Sequence, residues 1–339
     1  MKTDFDVVVV GAGPAGTSAA IFCRKAGLSV ALVEGQEFPR FRPGEFLHPG
    51  AEALLDLLEV KVAVRKLDTI SVKGVWKHTK TQRRFVPFGD DAHGAWVGLQ
   101  VDRAAFDGEL LKRACATGSV LLQPCRVSNV MRVESGWLIG TRVGELRTRL
   151  LIDATGSDSI VAKQLGLKPV LHSPQIIAKY GYGSGRTSKR FNSPMFFLSK
   201  CGWMWIAKVG REKFQWITAS WTSDTSFEPQ LPSGLLHLAG ISRSRGANVT
   251  WRILNKTALP NYFSVGDAAA VLDPSSSHGV IRALATGIKA GFWARRALHD
   301  AESSRRIANA YDLWVKRWFE HDVRRLQTAY SIPSHIKFS

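Results

Sequence analysis

Four consecutive valines, Val7 to Val10, run straight into Gly11-Ala12-Gly13-Pro14-Ala15-Gly16, and this junction limits the fold more than any other feature of the chain. A β-branched run without polar alternation suits a strand covered on both faces, as in a parallel sheet. Residues 17–26 then read as a helix stopped by Gly27, and residues 28–33 as a second strand, giving a βαβ unit of ordinary length. Gly11 allows the tight turn, Gly13 lets the backbone approach a pyrophosphate, and Gly16 permits close helix–strand packing. Pro14 and Ala15 open a helix whose N-terminus faces phosphate charge. Glu34 ends the second strand, where a carboxylate can hold ribose hydroxyls.

Beyond this unit the pattern alternates between two kinds of structure. Residues 35–50 are a loop rich in Pro, Gly, Phe and Arg, and residues 51–58 an apolar helix. Short strands are expected at 69–76, 83–86 and 96–99. Helical period returns at 102–117, with Phe106, Leu110, Leu111 and Ala114 on one face. Strands follow at 120–123, 127–133, 136–143 and 146–153. Residues 172–254 read as aromatic-rich antiparallel sheet, 262–265 as a last short strand, and 280–299 and 305–330 as closing helices. The expected architecture is α/β: a Rossmann-type nucleotide-binding fold interleaved with an antiparallel-sheet substrate domain, plus C-terminal helices. The nucleotide domain takes 1–70, 100–170 and 255–300, the sheet domain 71–99 and 171–254, and the C-terminal helix 301–339.

Two further segments select FAD as the dinucleotide. Phe263-Ser264-Val265-Gly266-Asp267-Ala268-Ala269 resembles the second FAD fingerprint of the glutathione-reductase-like flavoproteins, and the resemblance assigns Asp267 to the ribityl or pyrophosphate region. Pro274-Ser275-Ser276-Ser277-His278-Gly279-Val280 leads into a helix whose amides, by the same resemblance, face the flavin pyrimidine edge, so that Pro274, Gly279 and Val280 join the cofactor set. Leu151-Ile152-Asp153-Ala154-Thr155-Gly156 resembles the middle motif of the aromatic-hydroxylase and halogenase group, which adds Gly156. Gln100-Val101-Asp102-Arg103 is similar to the segment in which that group's Gln touches FAD, and Val127 is a further implied contact. The loop from Phe38 to Gly50 looks like the one whose arginine reaches the FAD phosphates. Arg42 is the arginine assigned to that task, with Arg40 solvated. None of these motifs holds a His or Cys at a position used for covalent attachment, so the FAD is expected to be non-covalent.

The wording Arg42-Pro43-Gly44-Glu45-Phe46-Leu47-His48-Pro49-Gly50 most resembles the LodB- and GoxB-type flavoproteins, which modify tryptophan in a partner protein during quinone cofactor biogenesis. The resemblance implies an FAD-dependent monooxygenase acting with molecular oxygen on an aromatic side chain, a tryptophan of a quinoprotein precursor being the natural substrate. NAD(P)H or a partner reductase would supply electrons. Three alternatives stay open: a flavin-dependent halogenase, an isoprenoid-reductase-like flavoenzyme and a flavin-containing chaperone that holds a maturing partner without chemistry. Gly202-Trp203-Met204-Trp205-Ile206-Ala207 resembles the halogenase Trp-x-Trp-x-Ile-Pro motif but departs from its Ile-Pro end at Ala207, and its tryptophans also suit one packed strand face. Lys73 is the candidate for the lysine that halogenases use. His48 and His278, on loops expected at the flavin side, are candidate proton donors or bases.

Charge is the other unusual feature. Of the net +18, residues 1–60 carry −3 and the rest +21. An excess confined to one part of the chain fits either plain solubility or a surface for an acidic partner: a protein, nucleic acid or an anionic membrane. Nucleic acid ranks below protein, because no zinc-finger spacing or RNA-binding aromatic signature accompanies the basic residues. Four scattered cysteines (Cys23, Cys115, Cys125 and Cys201), no apolar run long enough to span a membrane and no secretory signal place the chain in the cytoplasm by expectation. No metal-ligand spacing is present.

Overall fold

The valine run forms strand β1 (Phe5–Val10), in which Val7, Val8 and Val9 have no solvent exposure. The computed structural model describes residues 4–42, 46–79, 81–186, 191–199, 202–221, 239–240 and 245–330. Pro43, Gly44 and Glu45 of the cofactor loop, Cys201, and residues 331–339 lie outside these. On one side β1 pairs in parallel with β2 (Val30–Val33), which pairs in parallel with Val120–Leu122. On the other side it pairs in parallel with Gly144–Asp153. That long strand has two further neighbours: an antiparallel meander through Gly136–Thr141 and Val127–Val133, and, along its last residues, the parallel strand Tyr262–Ser264. Val10, Val33, Asp153 and Ser264 thereby end at one edge of the sheet. In open α/β sheets this carboxyl edge is where ligands bind.

The helices are α1 (Pro14–Lys25), α2 (Ala51–Leu57), α3 (Lys61–Arg65), α4 (Arg103–Ala116), α5 (Ile160–Gln164), α6 (Gly279–Ala297) and α7 (Ala301–Tyr330). Asp102 caps α4 by accepting from the Ala104 and Ala105 amides, and the expected apolar face of α4 is buried. α6 lies against α1 at two glycines. A Cβ on Gly287 would come 2.1 Å from the Ala15 carbonyl oxygen, and one on Gly291 2.6 Å from that of Ala19. Only glycine allows so close a crossing. α7 buries Ile307, Tyr311, Val315, Phe319, Val323 and Leu326, an amphipathic spacing that seats thirty residues of helix on the body of the protein.

The second layer is an eight-stranded, mostly antiparallel sheet built around Ile177–Ser184, Lys213–Ser220, Gly202–Lys208, Met195–Leu198 and Gly74–His78. Along Gly202–Lys208, Trp203, Trp205 and Ala207 join the core shared with the nucleotide domain, while Met204 and Ile206 pack with Phe191, Met195 and Phe214 on the opposite side. Both faces of this strand are therefore covered.

Two local expectations are corrected. The single strand expected at 69–76 is two: Ile70–Val72 pairs with Gly98–Gln100 in a small sheet, and Gly74–His78 enters the large one. The five-residue helices α3 and α5 carry too few turns to show a period. Among the described residues, no helix is long and apolar enough to cross a membrane.

Candidate functional site

The glycine turn sits at the carboxyl edge of the sheet as its spacing demands. Gly11 has φ +105° and lies against the Ala154 carbonyl, with the oxygen 2.2 Å from where a Cβ would stand. Gly16 packs against Gly11, and a Cβ there would come 1.8 Å from the Gly11 oxygen. Gly13 differs: within 4 Å of its Cβ position the nearest atoms reduce to the Arg40 guanidinium, at 3.2 Å. Pro14 and Ala15 start α1 with no side chain capping its amides. Glu34 accepts from the Ala12 amide at 2.8 Å, the Gln36 amide at 2.9 Å and Arg40 at 3.1 Å. A carboxylate has about four acceptor sites, so one remains for a ribose hydroxyl.

The arginine at this turn is Arg40, which corrects the assignment of Arg42. Arg42 is exposed, and its backbone carbonyl accepts from Tyr182. Arg40 is largely buried, ion-paired to Glu34 and stacked on Phe38 at 4.6 Å, and its Nε has no partner. A buried, unpaired guanidinium N–H beside an open glycine fits an anionic oxygen. Val127 follows Arg126, whose stem lies 3.2 Å from the Gly35 Cβ position, and its side chain packs into the second core cluster.

At the other end of the edge, Gly266 (φ +59°) turns the chain so that Asp267 is reachable by solvent while surrounded by protein. Burial pushes its carboxyl above the usual range against the opposing pull of Arg282, Arg103 and Arg252. This describes an acid on the floor of a deep cleft. Gly156 (φ +72°) and Gly279 have no atoms within 4 Å of a Cβ, so both border open space. Gln100 is fully buried and donates to the Asn192 carbonyl at 2.7 Å, whereas its Oε1 has no partner. The space at Gly13, the open positions at Gly156 and Gly279 and the solvent-reachable Asp267 carboxyl are features that a dinucleotide fits. The residues fit FAD.

The structure brings His48 and His278 together, with ring centroids 5.2 Å apart at the start of α6. His278 caps α6 without a side-chain bond, and Val280 follows it into the first turn. Burial, with Arg282 and His48 nearby, lowers the His278 pKa to about 4, and Asp322 and Arg325 also face it. Burial and Arg325 lower that of His48. Both rings are neutral at neutral pH. Because the folded pKa of His278 lies below its ordinary 6.5, the unfolded chain takes up the proton first. Stability is therefore expected to fall as pH drops from 6.5 towards 4, by up to about 3 kcal/mol. Urea titrations across that window should show the loss in the wild type and a smaller loss in His278→Gln.

Lys73 lies at the bend between Ile70–Val72 and Gly74–His78 and is exposed; its carbonyl accepts the amide of Phe88, whose ring centroid is 5.7 Å from that of His48. Pro274 follows an acid that the sequence reading passed over. Asp273 is fully buried; its Oδ1 accepts the Ser275 amide at 2.8 Å, and its Oδ2 accepts Tyr330 Oη at 2.6 Å and Trp203 Nε1 at 3.4 Å. Ser275 Oγ also bonds Tyr330 Oη. Tyr330 stacks on Trp221 at 4.6 Å and approaches Trp251 at 5.8 Å. One carboxylate thus joins the flavin-side loop, the tryptophan strand and the end of α7. Asp273-Pro274 is itself an N-cap and first-turn signal, the one clue the sequence offered.

Residues 5–82 match the family described as pyridine nucleotide-disulphide oxidoreductase. The digeranylgeranylglycerophospholipid reductase of Picrophilus torridus is 25% identical, over 94% of this chain and 85% of the relative. The 1H-pyrrole-2-carbonyl-[peptidyl-carrier protein] brominase of Pseudoalteromonas luteoviolacea is 27% identical, over 87% of this chain and 78% of the relative. Among solved structures, the flavin-dependent brominase Bmp2 superposes with a TM-score of 0.84 at 21% identity, covering 97% of this chain and 88% of that one. The peptidyl tryptophan dihydroxylase QhpG, essential for tryptophylquinone cofactor biogenesis, superposes with a TM-score of 0.77 at 18% identity, covering 98% and 77%. The chain therefore has the fold of the flavin-dependent halogenases and of QhpG.

Proposed function

We propose that the protein is an FAD-dependent monooxygenase that hydroxylates an aromatic side chain, a tryptophan of an acidic partner protein in tryptophylquinone biogenesis. The observation that carries this reading is the neutral His48–His278 pair at the open start of α6. Bound FAD, once reduced, supplies the electrons that activate molecular oxygen. The remaining work belongs to side chains. A neutral imidazole can take a proton from a reacting ring or its N–H without first losing one, and the uncapped α6 amides favour negative charge at the edge of a ligand placed against them. The likeness to QhpG supports the peptidyl substrate. Electrons would come from NAD(P)H or a partner reductase.

Halogenation is the second reading, favoured by the Trp203–Trp205 strand and the likeness to the brominases. The two are separated by supplying chemically reduced FAD, isotopically labelled dioxygen, bromide and a tryptophan-bearing protein. Label in the product without bromine is expected. Bromine in the product, or unreacted tryptophan with saturation of an added isoprenoid, would overturn the proposal.

A further inference from the structure

Away from the cofactor cleft, one surface combines features that the fold does not need. Between the C-terminal ends of α1 and α6 lies an open groove of about 700 Å³, lined by Phe22, Lys25, Phe292, Arg295, Arg296 and Arg306 among others. Part of its charge is structural. Basic residues in a last helical turn offset the helix dipole, Lys25 bonds Glu59 and the Leu57 carbonyl, and Arg295 donates to the Ala26 carbonyl. Those duties leave Arg296 and Arg306, both exposed, whose guanidinium groups make no hydrogen bond or ion pair to any described residue. They also leave Phe292, 65% exposed. The one carboxylate lining the groove, Asp300, is engaged by His299 and Ser303.

The groove connects with the site. Ile281, Ala285, Ile288 and Phe292 recur at helical spacing on one face of α6, and the first three are only partly buried. Ile281 and Ala285 line a second cavity of about 290 Å³ shared with His278, Trp314 and Trp318. These partly buried apolar residues share the α6 face between the basic groove and the imidazole pair, over a rise of about 21 Å from Phe292 to His278.

We propose that the groove docks an acidic segment of a polypeptide partner, with Arg296 and Arg306 taking carboxylates, Phe292 an apolar side chain, and the α6 face guiding the chain towards His278. This rests on the protein-substrate reading above. The unpaired cations call for an anionic occupant, and a concave groove suits an extended chain better than a bilayer, which binds a broad apolar face. At about 3.3 Å per residue, six or seven residues cover the distance. The acidic cluster is therefore expected about that far from the target aromatic.

The test uses FAD-loaded protein and fluorescein-labelled peptides. Each holds a tryptophan seven residues from four glutamates around a leucine, placed on either side of it, with glutamine counterparts. Fluorescence anisotropy should show a glutamate peptide bound about tenfold more tightly than its glutamine counterpart. That preference should be lost in Arg296→Glu/Arg306→Glu and change less than about twofold in Arg84→Glu/Arg142→Glu, a pair of equal charge on other exposed surfaces. Equal loss in both pairs, no glutamate preference, or Arg296- and Arg306-dependent binding of phosphatidylglycerol vesicles without peptide binding would overturn the docking site. Binding is read without turnover, so a failure to oxygenate tryptophan counts against the function alone.

Discussion

Gly13→Val should give a folded, colourless protein. Among the described residues the atom met near its Cβ position is the end of the Arg40 side chain at 3.2 Å, which need give by only a few tenths of an ångström while staying paired to Glu34, so the fold is expected to survive. The ligand does: a branched side chain there occupies the space through which the backbone meets a pyrophosphate, and a loss of FAD affinity of about a thousandfold or more is expected, about 4 kcal/mol. Visible flavin absorbance after reconstitution reads the cofactor and far-ultraviolet circular dichroism reads the fold. Gly16→Val is the contrast. Its Cβ would collide with the Gly11 carbonyl, and the soluble folded protein itself should be lost. A yellow Gly13→Val protein with undiminished affinity would remove the pyrophosphate from this turn.

Asp273→Ala should destabilise the protein by about 3–5 kcal/mol, on the order of 1–3 kcal/mol for each buried donor that loses its acceptor. The substitution removes the acceptor shared by the Tyr330 hydroxyl, the Trp203 indole N–H and the Ser275 amide, and leaves Tyr330 its bond to Ser275 Oγ. Asp273→Asn keeps the shape and one carbonyl acceptor and should lose about half as much. Urea midpoints compare the two. The same experiment should show the end of α7 released first, as exposure of Trp221 and Trp251 to a fluorescence quencher before global unfolding. A cooperative wild-type-like transition in the alanine variant would mean that the three donors find other partners and that Asp273 ties nothing together.

The contrast between these residues explains what the sequence could and could not reveal. Gly11, Gly13 and Gly16 are legible because a local chain conformation and a phosphate contact impose their spacing. The four valines are legible because burial on both faces leaves no polar position. The Phe38–Gly50 loop has no period, so nothing local decides between Arg40 and Arg42. The choice is made by Glu34, to which Arg40 pairs. Lys73 sits at a bend between two short strands, Ile70–Val72 and Gly74–His78, where no alternation fixes the direction of a side chain. Asp273, Trp203 and Tyr330 meet from 70 and 57 residues apart, and no spacing rule connects them. His48 and His278 were each visible as loop histidines, but their contact is a product of the fold alone.

The glycine crossing of α1 and α6 has a consequence for which flavin the protein accepts. α1 starts at the turn that fits a pyrophosphate, and α6 starts beside the imidazole pair. Locked at Gly287 and Gly291, the two helix starts cannot drift apart or close up independently. They form a fixed gauge, set by backbone contact rather than by any group that touches the ligand. A dinucleotide long enough to bridge them would meet both ends at once, whereas a flavin mononucleotide would reach one and gain nothing from the other.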